Sequence, residues 1–248
     1  MRKVLLVTGG SRGIGAATAR LAAARGYAVC ISYVNNAVAA DAVVAAITGA
    51  GGEALAVAAD VGVEADIIRL FATVDRTLGP LTALVNNAGI VDQQMRVEHM
   101  TAARLQRIFT TNIIGAFLCA REAMRRMSTA RGGRGGAIVN ISSSAARLGA
   151  PGEYVDYAAS KGAVDTLTIG LAKEVAAEGI RVNAVRPGVI DTDIHASGGE
   201  PNRVDRIAPL IPMERGGAVD EVAYAILWLL SDEASYATGA CIDVSGGR

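Results

Sequence analysis

Compact apolar runs alternate along this chain with longer stretches in which alanine, charged residues and branched aliphatics recur at helical spacing. The runs at 3–7, 28–33, 54–58, 83–86, 137–142, 181–185 and 241–244 are short and largely apolar, as strands buried on both faces are. Between them, 16–25, 41–50, 64–78, 103–127, 157–178 and 220–230 carry the periodicity of amphipathic helices. Strand and helix in alternation predict an α/β fold, a doubly wound parallel sheet with helices on both faces. No repeat, low-complexity tract or composition shift marks a linker, so residues 1–248 are expected to form one domain. Two segments lack periodicity: 128–136, rich in Gly and Arg, and 193–212, which carries three prolines and lies late enough to be a substrate lid.

Size and charge narrow the partners. With 248 residues, 51% of them hydrophobic, the chain has material for a sizeable core. Lys plus Arg equals Asp plus Glu at 24 each, without a long block of one sign, so neither nucleic acid nor an anionic membrane is indicated. A small molecule is the expected partner. Polar residues interrupt every apolar run before the roughly 18 residues a membrane helix requires, and the run within residues 1–10 is too short for a signal peptide. The expectation is a soluble cytoplasmic protein. Cys30, Cys119 and Cys241 are widely spaced with no CxxC pair, which fits reduced packing thiols. His99 and His195 are too few and too separated for a metal site; His195 falls in the candidate lid, where an exposed loop histidine is the simpler reading. Arg125, Arg126, Arg131 and Arg134 form the one basic concentration, either a landing site for an acidic carrier protein or, more simply, a solvated helix end.

Candidate chemistry begins at Thr8-Gly-Gly-Ser-Arg-Gly-Ile-Gly15, between the first strand and first helix. Gly9, Gly13 and Gly15 let backbone turn tightly and approach a phosphate, with Ser11, Arg12 and Ile14 between them and a helix amino terminus to attract its charge. No Gly-Lys-Ser/Thr follows, which excludes a P-loop. Asp60-Val61, after the third strand, offers a carboxylate to an adenine amino group, or simply starts a helix. The second strand ends Ser32-Tyr33-Val34-Asn35-Asn36, where an acid would hold a ribose 2′-hydroxyl and repel a 2′-phosphate. No acid is there, Tyr33 and Asn35 flank the position, and Arg12 can reach a phosphate, so NADP is favoured over NAD.

Tyr157 stands four residues before Lys161, an offset that puts both on one helix face. A fixed cation beside a phenol favours phenolate and brings a group with pKa of about 10 toward acid/base work.

With both sites in view the chain resembles the short-chain dehydrogenase/reductase family across essentially its whole length. The resemblance rests on the glycine turn, Asp60, Asn86-Asn-Ala-Gly89, Asn112, Ser143, Tyr157 with Lys161, and Arg186-Pro-Gly188 followed by Thr192, in the family's order. It implies a Rossmann-like domain, usually of seven parallel strands, and commonly a homotetramer. Tyr157 would be the acid/base, Lys161 would lower its pKa and hold the nicotinamide ribose, Ser143 would bond the substrate oxygen, and Asn112 would maintain a water link from Lys161. Asn86, Asn87, Ala88 and Gly89 would serve the adenosine side of the cofactor and brace the sheet. Thr192 would bond the carboxamide, beside Pro187, Gly188 and backbone of Ile190.

The run Ser142-Ser-Ser144 keeps three candidates open. Counting back from Tyr157 by the family's spacing selects Ser144, whereas counting from the strand selects Ser143, preferred because turn residues at 149–156 can absorb an insertion. Tyr154 has Ala158 as its i+4 partner, hence no activating cation, and is expected to line the substrate pocket. The reading is an NADP-dependent oxidoreductase interconverting a carbonyl and an alcohol, with carrier-linked 3-oxoacyl groups or sugars and polyols as alternative substrates and a non-catalytic NADP sensor as the rival of another class. Surplus apolar surface on the helices at 103–127 and 157–178 points to a homo-oligomer.

Overall fold

The computed structural model describes residues 3–248. Its strands are β1 (Lys3–Val7), β2 (Tyr27–Tyr33), β3 (Glu53–Ala58), β4 (Ala83–Asn86), β5 (Gly136–Ile141), β6 (Ile180–Pro187) and β7 (Cys241–Val244). All pair in parallel, in the order β3-β2-β1-β4-β5-β6-β7. The winding reverses between β1 and β4, so loops leaving their carboxyl ends diverge and open a crevice there.

The helices are α1 (Gly13–Ala24), α2 (Ala37–Gly49), α3 (Glu64–Thr77), α4 (Ala102–Phe109), α5 (Gly115–Met127), α6 (Ala145–Leu148), α7 (Val155–Val175), α8 (Ile194–Ser197), α9 (Arg203–Ile207) and α10 (Val219–Leu230). The two-residue period of each strand divides its side chains between two cores. Val4, Leu6 and Cys30 face α3, α5 and α7, where Phe71, Cys119 and Leu171 lie. Leu5, Val7 and Ile31 face α1, α2 and α10, where Ala19, Val43 and Ile226 lie. Each fully buried Leu or Ile contributes about 1.5–3 kcal/mol relative to exposure, enough to make the two-sided apolar pattern decisive.

A polar tie crosses the interior beside the crevice. Asn86 and Asn140 are register partners on β4 and β5. Asn86 Nδ2 donates to Asn140 Oδ1 (3.0 Å) and to Ala116 O (3.1 Å), and Asn140 Nδ2 donates to Thr168 Oγ1 (2.9 Å). Strands and helices are thereby locked together where the site is built.

Several predicted boundaries shift. The helix expected over 103–127 is broken by a π turn, Thr110–Ile114, which carries Asn112. Its successor Gly115 packs so closely on β3's following loop that a Cβ there would stand 2.7 Å from Val61 O. The first helix starts earlier than the apolar pattern indicates, at Gly13, and the second starts at Ala37, where Asn36 Oδ1 accepts the Ala39 N–H (2.9 Å). The helix expected from 157 starts at Val155 and passes into a 3₁₀ turn, Ala176–Glu178. The expected loop 193–212 contains α8 and α9. Cys30 and Cys119 are buried and Cys241 half-buried. Among the described residues, no helix is long and apolar enough to cross a membrane and no side-chain group has metal-ligand spacing.

Candidate active site

Backbone beyond β1 turns through Gly9 (φ +62°) and Gly13 (φ +54°), conformations that residues with a Cβ rarely adopt. Space is equally restrictive: a Cβ on Gly15 would lie 2.6 Å from Asn87 Nδ2. That amide clamps the turn, donating to Thr8 O and Gly9 O at 2.9 Å each. Thr8 Oγ1 returns the tie by accepting the N–H groups of Asn87 and Ala88 at 3.0 Å each. Gly9 N–H donates to Ser32 Oγ at 3.2 Å. Thr8 and Ser32 were outside the sequence-derived site; their signal is a hydroxyl directly before the glycine turn and another at the facing strand end.

Thr192 lies over the same turn, 3.3 Å through Cγ2 from where a Cβ on Gly13 would stand. Bare backbone opposite a threonine, at the amino terminus of α1, fits the diphosphate of a dinucleotide. Ser11 and the exposed Arg12 border a shallower hollow with Gly13, Arg20 and Thr192. Tyr33 is half-buried at the end of β2 and Asn35 is exposed beyond it. Asp60 Oδ1 accepts the Gly62 N–H (2.8 Å), so part of its carboxylate is engaged in the turn leading to α3. Val61 is buried, and its carbonyl packs against Gly115.

A cleft of about 440 Å³ brings Ile14, Asn87 and Gly89 together with Ser143, Tyr157 and Lys161, and with Pro187, Gly188, Ile190 and Thr192. The two sequence motifs thus share one cavity. Lys161 Nζ stands 5.5 Å from the Tyr157 ring centroid, as the one-turn spacing on α7 requires. Nζ also donates to Ile141 O (2.7 Å) at the end of β5. Asn112, expected to act through Lys161, is held from three sides: Oδ1 accepts the Ile90 N–H (2.8 Å), and Nδ2 donates to Ile90 O (2.9 Å) and Ser160 Oγ (3.0 Å). A Cβ on Gly89 would stand 3.3 Å from Lys161 Nζ and 3.5 Å from Asn112 Oδ1, so these polar atoms flank one bare glycine. Ser160, absent from the sequence-derived site, links Asn112 to α7 by donating to Tyr157 O (2.7 Å).

Three adjacent serines take three different tasks. Ser142 Oγ donates to Lys161 O (3.1 Å), and Ser144 N–H donates to Pro187 O (2.9 Å) at the start of α6. Ser143 Oγ accepts the Ala145 N–H (3.1 Å) and lines the cleft together with Tyr157. Burial pushes the Tyr157 phenol up from its ordinary pKa, and the neighbouring Ser143 side chain pulls it back. The sequence expectation that Lys161 sets the direction is corrected: loss of solvent sets it, and Lys161 is not among the groups that move it. The same loss pushes Lys161 down to about 8, opposed by the Asp165 carboxylate.

Toward the outside, Tyr154 is buried in the cleft wall, as expected, and its hydroxyl donates to Gly198 O (3.3 Å). Arg203 stacks over its ring at 5.1 Å and bonds Glu153 (2.6 Å) and Glu200 (2.7 Å). His195 is a correction: it is half-buried, lines the cleft and pairs Nε2 with Ile190 O (2.7 Å). Burial holds its imidazole below the ordinary histidine range. In the basic concentration, Arg125 and Arg126 each bond Glu122 (2.8 Å), and Arg126 also bonds Asp75 (2.7 Å), whereas Arg131 and Arg134 are exposed.

Comparison with known proteins adds to this geometry. A family model described as enoyl-(acyl carrier protein) reductase matches residues 9–248. An uncharacterized oxidoreductase of Escherichia coli (strain K12), YgfF, is 60% identical over 99% of both chains. A 3-oxoacyl-[acyl-carrier-protein] reductase of Synechocystis is 40% identical, over 99% of this chain and 96% of that protein. A short chain dehydrogenase from Burkholderia cenocepacia J2315, solved in complex with NADP, superposes with a TM-score of 0.90 at 33% identity, covering 99% of this chain and 97% of that one. A glycine turn at the β1/β4 reversal, a tyrosine and lysine one turn apart beside it, and full-length matches of this kind lead to one conclusion: the chain belongs to the short-chain dehydrogenase/reductase family and is an oxidoreductase acting on hydroxyl or carbonyl groups, with a nicotinamide cofactor.

Proposed function

We propose that the protein interconverts a ketone or aldehyde and its alcohol with NADP(H), using Tyr157 as the acid/base. The observation that carries the reading is the single cleft lined by Ser143, Tyr157, Lys161 and Thr192, with Lys161 Nζ 5.5 Å from the Tyr157 ring centroid. A nicotinamide dinucleotide, when bound, supplies or takes up the hydride. The chain's residues do the rest. In reduction, Tyr157 Oη delivers a proton to the substrate oxygen as negative charge grows there, while Ser143 Oγ donates a second hydrogen bond to it. Lys161 keeps a positive charge beneath the phenol and holds the nicotinamide ribose. Asn112 keeps the π turn and the Ile90 backbone fixed beside Lys161, and supports a water link for proton supply.

The glycine turn holds the diphosphate, with Gly9, Gly13 and Gly15 giving backbone access and Thr192 covering it. Asn87, Ala88, Gly89, Asp60 and Val61 serve the adenosine end. Two features favour NADP over NAD: β2 ends without an acid, and Arg12 is exposed beside the turn. The cleft wall of Val91, Leu148, Pro151, Tyr154 and Ile194 suits a substrate with an apolar body. A carrier-protein landing site gains little support from Arg125 and Arg126, because both are already paired within the chain. The half-exposed Phe117 and the neighbouring groove between α5 and α7 support a homo-oligomer, most simply a tetramer, and the reduced thiols suit a cytoplasmic location.

The test follows NADPH and NADH consumption across ketones, diketones, sugars and acyl thioesters, for the natural protein and Tyr157→Phe. The expected loss is about 10²–10⁴-fold with dinucleotide binding retained. Near-normal turnover by Tyr157→Phe would refute the mechanism. Dinucleotide binding without turnover on any substrate would favour the sensor reading.

A further inference from the structure

Asp156, immediately before Tyr157, and Arg104 on α4 form a buried ion pair that the hydride-transfer reading leaves unused. Their side chains are 0% and 6% exposed. Arg104 grips Asp156 with a fork: Nε to Oδ2 at 2.7 Å and Nη2 to Oδ1 at 3.3 Å. Burying two charges is costly, and a pair this enclosed persists where its geometry satisfies both partners and neighbouring groups. Here both partners reach further. Asp156 Oδ1 accepts the backbone N–H of Tyr157 (2.9 Å), at the positive end of α7. Arg104 Nη1 donates to Gln93 O (2.7 Å), in the segment that follows Gly89 along the cleft.

That segment has two other anchors. Asn112 brackets Ile90 from both sides of its backbone, at 2.8 and 2.9 Å. Met95 N–H donates to Glu153 O at 2.9 Å, next to Tyr154. Gln93 lies between these anchors, and Arg104 holds its carbonyl. The guanidinium therefore grips the segment that carries the cleft residue Val91 with one nitrogen and the start of the tyrosine's helix with two others. A lysine could supply the charge but not three bonds in a fixed plane.

We propose that Arg104 and Asp156 are positioning residues that hold the 90–95 segment, which lines the cleft through Val91, and the amino terminus of α7 in register, so that a carbonyl resting against Val91 meets the Tyr157 hydroxyl. The inference rests on the proposed role of Tyr157. Neither side chain touches the glycine turn, so the pair acts on substrate geometry and leaves the dinucleotide cradle alone. Misplacement by about 1 Å can reduce turnover by about 10²-fold.

Arg104→Met, Asp156→Asn and Arg104→Lys test this, using NADPH titration, steady-state kinetics on a ketone the natural protein reduces, and hydrogen exchange of the NADPH-bound protein. For the first two variants, kcat/KM should fall about 30–100-fold while the NADPH Kd stays within about threefold. Amides in the 90–96 and 157–158 stretches should exchange at least about tenfold faster together, as expected when a shared anchor is lost. Arg104→Lys, the variant kept for the case that the others fail to fold, should lie between them and the natural protein. A merely structural role predicts NADPH affinity and kcat/KM falling in parallel; that result, or unchanged kcat/KM in a folded variant, overturns the inference. If the natural protein reduces no carbonyl, the proposed function has failed by itself. Exchange then decides the pair, and unchanged rates in either stretch overturn it.

Discussion

Lys161 is an expensive residue to bury, and the cost is measurable. The residue is 4% exposed on α7, and burial pushes its pKa from 10.5 to about 8. At about 1.4 kcal/mol per pKa unit the shift corresponds to about 3 kcal/mol against folding while the group stays charged. Below pH 8 both folded and unfolded chains carry the proton, and the full penalty applies. As pH rises from 8 toward 10.5 the folded chain releases its proton while the unfolded chain keeps it, so stability rises with pH across that window. Lys161→Met lacks the titration. At pH 7 the variant avoids the penalty but leaves Ile141 O, now 2.7 Å from Nζ, without its donor, a loss of about 1–3 kcal/mol. It should therefore be as stable as the natural protein or up to about 2 kcal/mol more stable, while losing activity. Urea denaturation of both proteins, without dinucleotide, at pH 7, 8, 9 and 10 isolates this residue, because other groups cancel in the difference. The natural protein should gain about 3 kcal/mol relative to the variant over that range. A pH-independent difference would mean that Lys161 is solvated in the folded chain, and the account of its environment would be wrong.

Two further substitutions test the cradle. Gly15→Ala places a Cβ 2.6 Å from Asn87 Nδ2 and 2.7 Å from Gly9 O, so the clamp on the turn must give. The expected cost is about 1–3 kcal/mol in urea titration, with weaker binding of NADPH and NADH alike. Arg12→Ala should instead be neutral for stability and should weaken NADPH at least tenfold while sparing NADH; equal effects on both would remove Arg12 from 2′-phosphate recognition.

The fold was legible because its signal is carried by many residues at once. Leu5 and Val7 against Val4 and Leu6 show the two-sided strand directly, and the same alternation recurs in β2, β4 and β5. Boundaries were less legible where a single long-range contact decides them. The π turn at Asn112 cannot be read from helical periodicity, because it answers to Ile90, Ser160 and the close approach of Gly115 to Val61. Tyr157 with Lys161 and the glycine turn were visible because their partners lie within a few residues. The Arg104–Asp156 pair was invisible for the opposite reason: its partners are 52 residues apart.

Ser143 shows how far spacing alone reaches. Three serines in a row offer the same hydroxyl, and counting toward Tyr157 from either side gives different answers. The difference between them lies in what each backbone position faces once β5 ends. Ser142 still follows the strand and donates to Lys161 O on the packed side of α7, and Ser144 is already committed to α6 through Pro187. Ser143 falls between, where the chain has left the sheet but not yet entered the helix, and it lines the cleft that Tyr157 also lines. Strand geometry therefore fixes that hydroxyl from one side, as α7 fixes the tyrosine from the other. An insertion at 149–153 could move neither end. The chain between them includes the turn at Ala150 (φ +43°), where an added residue would lie away from both side chains.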